Sequence, residues 1–162
     1  KKENQISGRY CFQYYYRHFT NIYKENIDMT GVSGSNTDEI KELLNESFKM
    51  FYDEYQEDIG HYFRNLFNLS LFVDKSKLIN KRFYYNLVRS LLSNYELLLL
   101  FYFCLSDYGT KLKILSEKYS FFTQLPEQEI LDIRHKDLFK DSAFKESSEI
   151  TIDENPYFDK RM

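Results

Sequence analysis

Four polar residues near the middle of the chain have side chains that could do chemistry together. They follow the helical repeat of three and four residues and are His61, Arg64, Asn65 and Asn68. A helix would therefore place an imidazole, a guanidinium and two amides on one face. An imidazole can act as an acid or a base near neutral pH, and a guanidinium can hold a carboxylate or phosphate. This face is a candidate site for anion binding or acid–base chemistry.

A second group of polar residues repeats this pattern further along the chain. Its members are Tyr85, Arg89, Ser93 and Glu96, with Asn94 at the margin. Their spacing of three and four residues places them on one helix face. In a functional interpretation the two polar faces meet in a groove, where the arginines would hold an anion and the glutamate would orient one of them. The structural interpretation, which is favoured because helical bundles commonly join long helices in this way, is a buried ion pair between Glu96 and either arginine.

Composition argues against several other kinds of site. The 22 basic and 25 acidic residues give a net charge of −3, so the chain has no strong nucleic-acid signature. Cys11 and Cys104 lack the C-x-x-C spacing of a zinc site, and no glycine-rich phosphate loop is present. The sequence therefore predicts no metal ion and no cofactor. The run from Arg134 to Asp137 is interpreted as a solvent-exposed charged face.

The elements that must position these residues are predicted to be helices. A chain of 162 residues with 15 Tyr, 15 Phe, five Gly and two Pro suits long helices better than a sandwich of short strands. Apolar residues at helical spacing predict two long antiparallel helices, at about 37–73 and 78–107, with an N-terminal helix up to about Asp28 and short C-terminal helices. The predicted fold class is an all-α helical bundle.

The centre of this bundle is expected at the apolar run Leu97–Leu105, because such a run suits a helix that is buried on all sides. No window of the sequence reaches the length of a bilayer span. We predict a single domain over residues 1–144 and an irregular C-terminal tail over residues 145–162.

Three strings of the sequence are similar to a known bacterial family. They read GHYFRNLFNL, FYYNLVRSLLSNYELLLLFYFCLSDYG and LSEKYSFF. They resemble the putative phage abortive infection proteins, often called AbiC-like, over roughly residues 7–144. The resemblance implies a soluble helical domain that follows membrane-spanning segments and defends bacteria against phage by halting or killing the infected cell. It places the domain at the cytoplasmic side of the inner membrane, with membrane contact only through a segment outside this chain.

Three functions remain open from the sequence. The preferred one is an effector or sensor domain that binds a phage or host protein or a small anionic ligand. The second is a metal-independent HEPN-like ribonuclease, since Arg64-Asn65 begins like the R-x4-6-H motif of that family. No histidine follows within that range, however, and His61 precedes the arginine instead. The third is a structural module in which the aromatic surface of the first two helices forms a homo-oligomer.

Overall fold

The computed structural model describes residues 10–31 and 36–145 of the chain. Its α-helices are α1 (Tyr10–Thr30), α2 (Thr37–Lys75), α3 (Lys81–Ser90), α4 (Asn94–Leu105) and α5 (Thr110–Lys118). Short 3-10 helices lie at Asp107–Gly109, Glu127–Glu129, Ile133–Leu138 and Asp141–Ala143. The described residues contain no β-strand. The predicted all-α fold is confirmed.

The long helix α2 runs without a break for 39 residues. It begins where the Asn36 side chain accepts a hydrogen bond from the Asp38 amide, which satisfies one of the free N–H groups of the first turn. Two acidic residues in the first turn and Lys75 in the last turn complement the helix dipole. The preceding helix α1 extends slightly beyond its predicted end, to Thr30. Gly31 follows it with a φ of +63°, which suits a residue without a Cβ.

The second predicted long helix, at about 78–107, is two helices. The chain leaves α3 after Ser90 and begins α4 at Asn94. Ser93 and Glu96 form a capping box at this break: the Glu96 carboxylate accepts from the Ser93 amide at 2.8 Å, and the Ser93 hydroxyl accepts from the Glu96 amide at 3.4 Å. The continuous apolar pattern across this region concealed the break, although Ser-x-x-Glu before an apolar run is a helix-start signal.

The helices α1 and α4 both run antiparallel to α2. Ring contacts pair the start of α1 with the later part of α2 (Phe12 with Tyr62) and the middle of α1 with an earlier part of α2 (Phe19 with Phe48), so the two helices are antiparallel. The Tyr62 hydroxyl also reaches Glu96 near the start of α4. Asn45 contacts Asp107 just beyond the end of α4, which makes α4 antiparallel to α2 as well.

The core is centred on α4. Every residue from Leu97 to Leu105 is buried, as the apolar run predicts. Gly109 turns the chain from α4 into α5, and a Cβ at this position would lie 2.0 Å from the Phe103 carbonyl oxygen. The corner therefore requires the close backbone approach that only glycine permits.

The segment after α5 packs against this core instead of standing in solvent. His135 has no exposed surface, so the interpretation of the Arg134–Asp137 run as a solvated face is wrong for this residue. Its ring nitrogens contact the hydroxyls of Tyr23 and Tyr102 at 3.0 and 3.1 Å. The predicted irregular tail lies outside the described residues except for Lys145, and none of the described helices has the length and apolarity that a membrane crossing requires.

Candidate functional site

The polar face of α2 points away from the core. His61, Arg64, Asn65 and Asn68 are all exposed. The residues that alternate with them, such as Phe63 and Leu66, are buried instead. The apolar face of α2 is turned toward the other helices, and the polar face is therefore turned toward solvent. For this reason the polar face does not meet the α3 residues in the predicted groove.

The polar residues of α3 are engaged inside the protein. Tyr85 is buried, donates a hydrogen bond to the Ser70 carbonyl oxygen at 2.6 Å, and stacks on Tyr119 with a ring separation of 4.0 Å. Arg89 is 6% exposed, and its guanidinium donates to the Ser120 carbonyl oxygen and to the Thr123 hydroxyl. These bonds fasten the turn that follows α5 to α3.

The remaining predicted site residues form the start of α4. Glu96 completes the capping box with Ser93 and also accepts a hydrogen bond from the Tyr62 hydroxyl at 3.2 Å. Burial, and then the negative charge of Glu96, raises the pKa of Tyr62, so the hydroxyl remains protonated and available as a donor. Asn94 is exposed beside them. The Glu96 carboxylate thus joins α4 to α2 through a tyrosine.

A different groove includes Arg64. It lies between α2, the end of α4 and the start of α5, and has a volume of about 240 Å³. Two cations, Arg64 and Lys111, contribute to its lining. The rest of its lining is mainly aromatic and apolar and consists of Tyr52, Gly60, Phe63, Phe67, Phe103, Tyr108 and Leu112. Two positive charges beside a set of rings suit an anion that carries an apolar or planar group.

The walls of this groove are held by ring packing. Phe63 of α2 and Phe103 of α4 stack with centroids 4.2 Å apart and an interplanar angle of 9°. Tyr52 lies 4.6 Å from the half-exposed ring of Tyr108. Because offset or tilted ring pairs favour particular geometries, these contacts hold the groove in one shape. A ligand would therefore meet a largely preformed surface.

Charges of both signs lie at or near the groove. Burial raises the pKa of Tyr108, and the negative charges of Asp53 and Asp107 raise it further, so two carboxylates lie near this ring. Asp107 is held in place by Asn45, which donates to its carboxylate at 2.7 Å and accepts from its amide at 2.9 Å. Arg64 and Lys111 supply the positive charge of the groove. The anionic part of a ligand would therefore bind near these cations.

Lys111 could not be found from its sequence position. It lies among the outward-facing charges of a short amphipathic helix, and nothing in its spacing connects it with Arg64, which is far earlier in the chain. The contact of α5 with α2 brings the two residues to one groove. Among the described residues, no group of histidine, cysteine and carboxylate side chains has the arrangement of a metal site.

The fold and this groove together define an all-helical domain with a cationic, aromatic-walled surface depression. Residues 54–130 match the sequence model of a family described as putative phage abortive infection protein. The match confirms the family resemblance, over a shorter range than the expected 7–144, and it supports a role in phage abortive infection. No curated protein and no solved structure matches the chain.

Proposed function

We propose that the chain is a sensor or effector domain in phage abortive infection and that the groove containing Arg64 and Lys111 binds a small anionic ligand. One observation carries this proposal: two cations from separate helices line a single aromatic-walled groove. In keeping with the family resemblance, the domain would act at the cytoplasmic side of the bacterial inner membrane.

The size and chemistry of the groove indicate the kind of ligand. A volume of about 240 Å³ suits a small molecule rather than a folded protein segment. A phosphate or carboxylate would accept hydrogen bonds from Arg64 and neutralise Lys111. A planar group would lie against Tyr52 or Tyr108. A phosphorylated or carboxylated molecule with one planar ring fits these requirements.

Ligand binding would act on the arrangement of two helices. Arg64 belongs to α2 and Lys111 to α5, so an anion between them would remove a repulsion and join the helices. A ligand that binds only the folded arrangement stabilises it in proportion to its concentration and affinity. This linkage predicts that the ligand raises the stability of the folded domain.

The direct test uses adenosine monophosphate as a probe with the purified chain. We expect it to raise the thermal midpoint of the wild type. Arg64→Ala and Lys111→Ala should each weaken binding at least about tenfold, because each removes a charge-assisted hydrogen bond. Asn65→Ala is the matched control, since Asn65 is an exposed neighbour outside the groove and its loss should leave affinity unchanged. Equal affinity in all four proteins would contradict the proposal.

The biological test is phage plating on bacteria that express the gene encoding this chain. Wild type and Asn65→Ala should protect, whereas Arg64→Ala should lose protection while accumulating as folded protein. Full protection by a folded Arg64→Ala variant would exclude the groove from the defence function.

Two further measurements test the alternative functions. If the wild-type protein degrades RNA and the His61→Ala variant does not, the ribonuclease alternative is favoured. Light scattering tests the oligomer alternative, because a monomer at all concentrations would exclude it.

A further inference from the structure

The turn between α2 and α3 exposes large apolar side chains. Phe72, in the last turn of α2, is 69% exposed, and Ile79, just before α3, is 104% exposed. An isoleucine side chain this accessible makes almost no contact with the rest of the protein. These two side chains, close together in the sequence, are available to a hydrophobic partner.

Most of the charged residues in the same turn are basic. Within residues 72–82 the cations are Lys75, Lys77, Lys81 and Arg82, and the single carboxylate is Asp74. Lys75 and Lys77 are exposed, whereas Lys81 and Arg82 are partly buried and donate to backbone carbonyl oxygens. Asp74 accepts hydrogen bonds from Lys118 and Tyr119, both at 2.7 Å. The bond from Lys118 lowers the pKa of this carboxyl group, which stays ionised and engaged within the protein. The turn is therefore strongly basic although the whole chain has a net charge of −3.

Local hydrogen bonds hold this turn in a defined shape. The Ser76 hydroxyl donates to the Val73 carbonyl oxygen at 2.7 Å and closes the end of α2. The Asn80 side chain accepts from the Phe83 amide at 3.0 Å and opens α3. The backbone at Ile79 thus lies between two helix caps. A turn whose backbone is held loses less conformational freedom on binding than a flexible loop.

We propose that the turn formed by residues 72–82 docks on the surface of an anionic lipid bilayer. Phe72 and Ile79 would enter the boundary between headgroups and acyl chains, and the exposed Lys75 and Lys77 would contact the anionic headgroups. Charge complementarity favours this surface over a neutral one, and the exposed apolar side chains favour a bilayer over a purely charged protein surface. The argument is independent of the groove that contains Arg64.

The experiment measures sedimentation of the full chain with vesicles. One set contains equal parts of phosphatidylglycerol and phosphatidylcholine, and the other contains phosphatidylcholine alone. We expect wild type to bind the anionic vesicles and to be released by salt. Lys75→Gln combined with Lys77→Gln should weaken binding by roughly fivefold for each cation removed. Ile79→Ser should weaken it by about tenfold, because less apolar surface enters the bilayer.

Matched controls carry the same changes elsewhere on the surface. Lys41→Gln combined with Lys49→Gln removes two exposed cations from α2, and Ile133→Ser replaces an isoleucine that is 57% exposed. These variants should bind like wild type. Equal losses in variants and controls, or no preference for anionic vesicles, would overturn the proposal. A further result would also overturn the proposal. If polyglutamate fully displaces the protein from anionic vesicles and Ile79→Ser binds these vesicles as wild type does, the partner is an acidic protein segment.

Discussion

His135 shows how burial changes the chemistry of a single residue. It occupies a short 3-10 helix, has no exposed surface, and lies between the hydroxyls of Tyr23 and Tyr102. A neutral imidazole has one donor and one acceptor nitrogen, so it can satisfy two hydroxyl partners without carrying a charge. Burial lowers its pKa from 6.5 to about 4. The folded protein therefore holds this histidine neutral.

This pKa predicts that stability falls as the pH is lowered. Between pH 6.5 and about 4 the unfolded chain binds a proton at His135 that the folded protein does not, so acid favours unfolding. The stability is fully present above pH 6.5. Between pH 7 and pH 5 we expect the free energy of unfolding to fall by about 2 kcal/mol. Urea unfolding at a series of pH values measures this slope.

Two variants identify the origin of that slope. His135→Gln removes the titrating group and should flatten the dependence between pH 5 and pH 7, although it also lowers stability at every pH. His61→Gln removes an exposed histidine and should keep the wild-type slope. A flat profile in the wild type would show that His135 is protonated without cost in the folded protein.

At the level of elements, the break between α3 and α4 determines where several predicted site residues lie. A continuous helix would have carried Tyr85, Arg89, Ser93 and Glu96 on one face. The capping box instead turns Ser93 and Glu96 into the start of α4, whereas Arg89 remains on α3 and bonds the turn after α5. A local sequence signal thus outweighed an apolar periodicity that continued across the break.

Loss of the cap should destabilise the protein. Ser93→Ala leaves the Glu96 amide without its side-chain partner and should lower the free energy of unfolding by about 1 kcal/mol. Ser90→Ala is the matched control, because Ser90 is exposed at the end of α3 and its hydroxyl bonds only to the Leu87 carbonyl oxygen among its described contacts. Chemical denaturation of both variants provides the comparison. Equal effects of the two changes would argue against the capping role.

For the whole molecule, α4 is the element around which the others pack. It touches α1, α2 and α5, and its residues from Glu96 to Leu105 are all buried. The segment after α5 adds another layer, in which Phe139 stacks on Phe101 with centroids 5.0 Å apart. A large change in the middle of α4 should therefore weaken the complete fold.

Leu98→Ala tests this central position. Leu98 has no exposed surface, so the substitution should leave a cavity and cost about 2–5 kcal/mol of unfolding free energy. Leu87→Ala, at a leucine that is 52% exposed on α3, should cost much less. Thermal and urea unfolding measure both variants. A Leu98→Ala protein with the wild-type thermal midpoint would be incompatible with a central α4.

The helical class and the position of the core could be predicted because they depend on local patterns. Apolar residues at helical spacing indicate which face of α2 is buried, and the apolar run Leu97–Leu105 indicates a helix buried on all sides. The resemblance to the abortive infection family could also be recognised from contiguous strings of the sequence. These strings lie within residues 54–130, the range that the family's sequence model matches.

Only the tertiary structure decided which polar residues share a site. Helical spacing shows which residues lie on one face, but not which other element covers that face or leaves it in solvent. Arg64 shares its groove with Lys111 because α5 packs along α2, and His135 is buried because the C-terminal segment returns to α1 and α4. These contacts join residues that are distant in the chain, so they depend on the packing of the complete fold rather than on local sequence.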